Sequence, residues 1–284
     1  MTFNKKIVKD SLLGLLLGGG LMYLGFALGS SKMFSKFLPE GETSLLVFFP
    51  TVFLAPFLAI ALHELGHLLA GLLQGFRLEL FVVGFLGIRR EGNKTKVYFN
   101  TNFQYFGGVA ATSPRQKLPD EQLIRAYKFI VLAGPITSLV FCVIPFTVFY
   151  LTETLLNPFW ALLGGSSFGI FLATTLPNKT GIFFTDRKRF QRLNNQGEVG
   201  KIELAFLQIL NQSLLDGHCK NIPLPNIEIV KKDTDQVIQF WGYYFEYQHY
   251  KDSEQTDKLP QSKAQLQPYK PVIPDSLWKS LNIS

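Results

Sequence analysis

Residues 44–75 are apolar almost without interruption, and between Glu42 and Arg77 the only side chains that can carry charge are His63, Glu64 and His67. A stretch of this length exceeds the roughly 20 helical residues that span a hydrocarbon core, so it commits the chain to a membrane before anything else is read. Placing Glu64 in a bilayer without partners costs at least about 2.5 kcal/mol on insertion scales, and ionisable groups at that depth are functional by default. The composition agrees. Of 284 residues, 47% are hydrophobic and 17% charged, with 27 Phe, which argues against an ordinary soluble domain and excludes disorder of the whole chain. Cys142 and Cys219 are the two cysteines, too few for a disulfide framework or a Cys-rich zinc module.

Residues 11–29 and 126–151 form further runs long enough to cross, and residues 157–176 come close to the limit. In the run at 44–75, Pro50 or Pro56 is expected to mark a late helix start or a kink. The first run follows Lys5, Lys6 and Lys9. It is longer than the ~7 to 15 apolar residues of a cleaved signal peptide, so a retained anchor is expected, with Gly18, Gly19 and Gly20 permitting close approach of a neighbouring backbone. The short flanks orient the four crossings. Three Lys precede the first run, Lys32 and Lys36 follow it, seven basic residues lie from Arg77 to Lys117, and none lies between Leu151 and Asn157. By the positive-inside rule both termini are cytoplasmic, in the plasma (inner) membrane if the cell is bacterial. Up to Asp186 there are 15 basic against 10 acidic residues, and beyond it 13 against 11. The basic excess therefore belongs mainly to the membrane half, and no nucleic-acid partner is implied.

The fold class expected is mainly α: a polytopic four-helix transmembrane bundle with a small cytoplasmic β element and a C-terminal helical soluble domain. The β element is read from residues 77–83 and 96–103, rich in β-branched and aromatic side chains and separated by a turn at Glu91-Gly92-Asn93. After Asp186 the chain turns polar. Ile202, Ala205, Phe206, Ile209 and Leu210 recur at helical spacing, as do Val237, Ile238, Trp241, Tyr244 and Phe245. Four regions follow: residues 1–43 as an N-terminal helix and loop, 44–190 as the membrane core, 191–250 as the helical domain, and 251–284 as a flexible tail that Ile273 and Trp278 can anchor.

The chemistry concentrates in His63-Glu64-Leu65-Gly66-His67. Positions four apart share a helix face, so both imidazoles can direct a nitrogen at one metal ion, with Glu64 beside them. Two His and a carboxylate leave a fourth position for water, as in zinc hydrolases, and Glu64 can move the proton of that water. Gly66 and Gly71 let another helix approach. The alternative is a structural polar cluster. A third ligand must come from elsewhere. His218 and His249 lie in the polar C-terminal region, and Glu153 falls on the opposite side of the membrane. Asp186 follows the fourth run on the side where the motif's helix ends, although as a surface acid it could pair with Arg187 or Arg189.

The pairing of the His63–His67 motif with a later Leu176-Pro177 and Asp186, together with Ala133-Gly134-Pro135, resembles the site-2 protease family of intramembrane zinc metalloproteases over roughly residues 46–190. That resemblance implies His63, His67 and Asp186 as ligands of one zinc ion per chain and Glu64 as the catalytic general acid/base. It also implies that the β element has an edge able to pair with an unwound substrate segment. The substrate would be a membrane protein or membrane-bound peptide cut in or near a transmembrane segment, with the lipid bilayer as the other partner; oligomeric state is not legible. The chain departs from the family pattern at Ser138 and Thr174, where asparagine is common, and at Arg187, where glycine is common. A catalytically weak or inactive relative acting as a binding or regulatory partner is the alternative reading.

Overall fold

The computed structural model describes residues 36–37, 42–92, 94–180, 182–281 and 283. The expected first crossing at residues 11–29 lies outside them. The described chain divides into two compact units: residues up to His63 with Gly134–Ala173, and Glu64–Ala133 with Thr174–Ser284.

The first unit contains the beginning of helix α1 (Glu42–Leu73), the end of α2 (Asp120–Leu151) and all of α3 (Asn157–Thr175). Helix α1 passes through both Pro50 and Pro56, so neither proline starts it. Its small residues Ala55 and Ala59, one turn apart, form a buried cluster with Leu163, with Leu62, Trp160 and Ile170 packed around it. Small side chains at a contact allow helix backbones to close up where there is no hydrophobic drive between helices. Gly164 serves the same purpose, since a Cβ there would stand 3.0 Å from the Phe146 ring. Asn157 ties the turn before α3: its amide donates to the Thr152 carbonyl at 2.9 Å, and its side-chain oxygen accepts from the Thr152 hydroxyl at 3.1 Å.

Among the described residues two helices are long and apolar enough to cross a membrane, Leu46–Leu73 and Asp120–Leu151. Their apolar stretches are only 22% and 39% buried, and Phe53, Leu73, Val143 and Leu151 are exposed. The expected four-helix bundle is thus matched by two qualifying helices among the described residues, its first crossing lying outside them. Helix α3 does not join them because Asn157, Pro158 and the Gly164-Gly165-Ser166-Ser167 stretch dilute its apolar character. Helix α2 begins before the apolar run, at Asp120-Glu121, where two acids favour the positive end of the helix dipole.

The second unit carries an antiparallel sheet of order β3-β2-β1-β4, with β1 Phe76–Val83, β2 Leu86–Glu91, β3 Lys94–Phe99 and β4 Val109–Pro114. The expected small β element is a four-stranded antiparallel sheet, with β2 and β4 added to the two runs read from the sequence, and the turn at Gly92 (φ 60°) joins β2 to β3. A tighter turn joins β1 to β2, where Val83 faces Leu86 and Gly84 takes φ 54°, a backbone conformation that glycine adopts without steric cost. Gly71 packs against strand β4 at Thr112, where a helix was expected.

A two-stranded ribbon, β5 (Lys179–Thr180) with β6 (Phe183–Phe184), leads into α4 (Asp186–Leu193), α5 (Glu198–Asp216), α6 (Leu224–Val230) and α7 (Gln236–Asp252). Ile202, Ala205, Phe206 and Ile209 of α5 form one core with Ile227, Val230, Ile238 and Phe245. Leu193 and Leu207 join Ala70, Phe76, Leu123, Ala126 and Ile130 in another, so helix α4 straddles the boundary expected at residue 190. The segment expected as a flexible tail instead forms α8 (Leu259–Leu266) and α9 (Asp275–Ser280). Leu266, Ile273 and Leu277 bury themselves against Val237, Phe240 and Tyr247 of α7, and the Trp278 ring lies 5.9 Å from that of Phe240. Ile273 and Trp278 are thus the anchors that the sequence offers, while the density of Lys, Gln, Ser and Pro conceals Leu266 and Leu277.

Candidate metal centre

His63, Glu64 and His67 lie on α1, and they are only 5%, 8% and 8% exposed. Each imidazole spends one nitrogen on an anchor. His67 Nδ1 donates to the Ile130 carbonyl at 2.7 Å, and His63 Nδ1 shares a 2.9 Å hydrogen bond with the Ser138 hydroxyl. A carbonyl can only accept, so in the neutral ring His67 Nδ1 holds the hydrogen and Nε2 presents a lone pair.

Asp186 reaches the site from α4. Thr185, in extended conformation (φ −64°, ψ 158°), ends the ribbon and sets Asp186 as the first residue of that helix. The Thr185 hydroxyl donates to the Leu176 carbonyl at 2.8 Å and accepts from the Asn178 amide at 3.0 Å, which folds the loop after Pro177 back on itself. Asp186 Oδ1 thereby stands 3.4 Å from His67 Nε2. Taken together, one ligand-capable atom from each of His63, His67 and Asp186 lies within 4.8 Å of the others.

The donor set suits a metal. A lone pair and a carboxylate oxygen facing each other at 3.4 Å are both electron-rich and call for a positive charge between them. Two imidazoles with a carboxylate match a catalytic zinc site that keeps one position open, and an imidazole whose other nitrogen is already hydrogen-bonded is held in the orientation and tautomer that coordination needs. The other acids and histidines weighed in the sequence have different neighbours. Glu153 is exposed and lies 3.5 Å from Lys36, and His249 bonds the Cys219 carbonyl at 3.1 Å. Arg189, which could have paired with Asp186, stands 2.9 Å from Glu203. Beyond the membrane, burial works against the charge of Arg192, but Glu203 and Asp233 overcome it and hold that guanidinium above its ordinary pKa.

The sequence model of peptidase family M50 matches residues 51–267. The chain belongs to that family. No curated protein and no solved structure matches it. The matched region of this M50 peptidase includes the His63–His67 motif, the whole sheet and the helices through α8, so the helical region after Asp186 falls within the family's extent. M50 peptidases are membrane-embedded metallopeptidases, which gives the exposed apolar faces of α1 and α2 their lipid environment.

Sequence reasoning missed three contributors. Ser138 entered only as a departure from the asparagine common in the family, yet its hydroxyl is the partner of His63. Thr185 carried a readable signal, a threonine directly before an acid at a helix start. The Ile130 carbonyl had none, because a main-chain group leaves no mark in the residue identity.

Proposed function

We propose that this M50 chain is a zinc-dependent endopeptidase that hydrolyses peptide bonds in or near transmembrane segments of membrane-protein substrates. His63, His67 and Asp186 hold one zinc ion, and Glu64 is the general acid/base. The observation that carries the reading is the convergence of these three ligand atoms within 4.8 Å. A zinc ion held there would acidify a water and polarise the scissile carbonyl. Glu64, buried beside the ligand pair, takes the proton of the attacking water and returns it to the leaving amine. Ser138 and the Ile130 carbonyl keep the two rings from turning away.

The sheet order leaves β3 at an edge, with Val97 and Phe99 64% and 70% exposed. An edge of this kind supports pairing with a substrate segment unwound from its helix, through main-chain hydrogen bonds. The distribution of Lys and Arg supports a multi-pass topology with both termini cytoplasmic.

Comparative membrane proteomics of wild type and Glu64→Gln tests the proposal. A membrane-protein fragment present only in wild type is expected, with its precursor accumulating in the variant. Identical fragment patterns, together with unchanged cellular function, would favour a non-catalytic binding role. Metal analysis of Asp186→Ala checks the ligand set, because zinc content equal to wild type would remove Asp186 from it.

A further inference from the structure

Asp186 is the ligand that comes from outside helix α1, and little within its own segment can hold it in place. A two-stranded ribbon is at best marginally stable alone, and the eight-residue helix α4 buries only Arg192 and Leu193. The segment is held instead from the helical region, by Glu203 of α5 and on both flanks by the turn containing Asp233 and Asp235. Ahead of Asp186, Lys179 of β5 places its ammonium 2.7 and 2.6 Å from the two carboxylate oxygens of Asp235. Behind it, the Arg192 guanidinium donates to Asp233 with one nitrogen and to Glu203 with another at 2.7 Å.

Asp233 and Asp235 belong to one hydrogen-bonded turn. The Asp235 amide donates to Asp233 Oδ1 at 2.8 Å, and Asp235 also caps α7 by accepting from the amides of Val237 and Ile238. The two cations meet over one ring, Lys179 at 5.6 Å and Arg192 at 4.9 Å from the centroid of Phe184, two residues before Asp186. Glu203 and Asp233 are 1% and 2% exposed. Buried pairs of this kind add little net stability compared with apolar packing, and they are best explained where they impose a register or position.

Building on the assignment of Asp186 as a metal ligand, we infer that the turn containing Asp233 and Asp235 is a positioning device for the metal centre. It clamps the Asp186 segment on both sides, through Lys179 and Arg192, so the helical region is a working part of the site. Lys179 and Asp235 are positioning residues and touch neither metal nor substrate.

The test uses the full-length chain in detergent with Lys179→Met and Asp235→Asn. Asparagine preserves the α7 cap while removing the charge. Zinc affinity is measured by competition with a chromophoric chelator, and ligand geometry by the visible absorption of the cobalt-substituted protein. Each variant is expected to bind zinc roughly tenfold more weakly, as for loss of an outer-shell partner, with an altered cobalt spectrum. The double variant should be no worse than either single, because the pair acts as a unit, and Lys179→Arg should restore both readouts. Ile209→Val, which loosens the core of the helical region without touching the clamp, should lower the unfolding temperature and leave zinc affinity unchanged. Wild-type affinity and spectrum in both clamp variants would overturn the inference. Asp186→Ala separates the two levels. If it abolishes zinc binding while the clamp variants do not, the clamp alone is wrong; if it too binds zinc normally, the ligand assignment fails and the clamp with it.

Discussion

Ser138→Ala removes the hydroxyl that His63 Nδ1 contacts at 2.9 Å, at a position only 1% exposed. The change removes that hydrogen bond from a buried imidazole. Leaving a buried polar group unsatisfied costs about 1 to 3 kcal/mol. At about 1.4 kcal/mol per factor of ten, that corresponds to roughly 5- to 150-fold if all of it falls on the zinc-binding orientation of His63. Part of it is shared with the apo protein, where the same bond is lost, so a change of about tenfold is the expected result, at the low end of the range for outer-shell partners. Chelator competition on detergent-solubilised protein reads this directly. A thermal melt in the presence of excess chelator then shows how much of the loss belongs to the metal-free fold. Zinc affinity within twofold of wild type, with cleavage unchanged, would refute the view that this hydroxyl orients His63.

Three further outcomes are expected. Gly71→Ala drives a Cβ into the Thr112 side chain, an overpacking that should cost about 1 to 3 kcal/mol; a Thr112→Ala second change should recover only part of it, because the Cβ of residue 112 would still stand 2.9 Å away, and an unaltered melting temperature in Gly71→Ala alone would contradict the contact. The Cys219 thiol is pushed up to about 12 by burial and by the Asp252 carboxylate, whereas an ordinary thiol is half ionised near pH 8.5. In a Cys142→Ala background its alkylation at that pH should therefore run at least ~100-fold slower than that of a free thiol, and a free-thiol rate would show the site to be open. Saturation with zinc at about 100 times its dissociation constant should stabilise the wild type by about 2.7 kcal/mol, visible as a higher unfolding temperature that chelator reverses; Asp186→Ala should show little of this shift, and an equal shift in both proteins would contradict the role of that carboxylate.

Helices α1 and α2 were legible because a long apolar run has few other fates, and the His63–His67 spacing was legible because four residues make a helical turn. The sheet was half legible. Strand β2 carries Arg89 and Arg90, and β4 is built from Ala110, Ala111, Thr112 and Ser113, so neither shows the β-branched and aromatic bias that marks β1 and β3. Helix α3 forms over Asn157–Thr175, where its run was read, but the Gly and Ser at its centre dilute the apolar character that would mark it as a crossing. The C-terminal helices were hidden because Leu266 and Leu277 sit in separate short helices, with Ile273 in the bend between them, and no sustained period joins the three. At the metal centre, local spacing could reveal the ring pair, but the approach of Asp186 depends on a loop closed by Thr185 and on charges far along the chain at Asp233 and Asp235.

The two imidazoles differ in what holds them, and that difference determines where the centre can be tuned. The acceptor for His67 belongs to the peptide backbone at Ile130, so exchanging that side chain leaves the oxygen in place. The partner of His63 is a side chain at position 138, where a single codon change can supply an amide, an acid or nothing. Under the proposed ligand assignment, the basicity of one imidazole can therefore be adjusted through position 138 while the other keeps its main-chain acceptor.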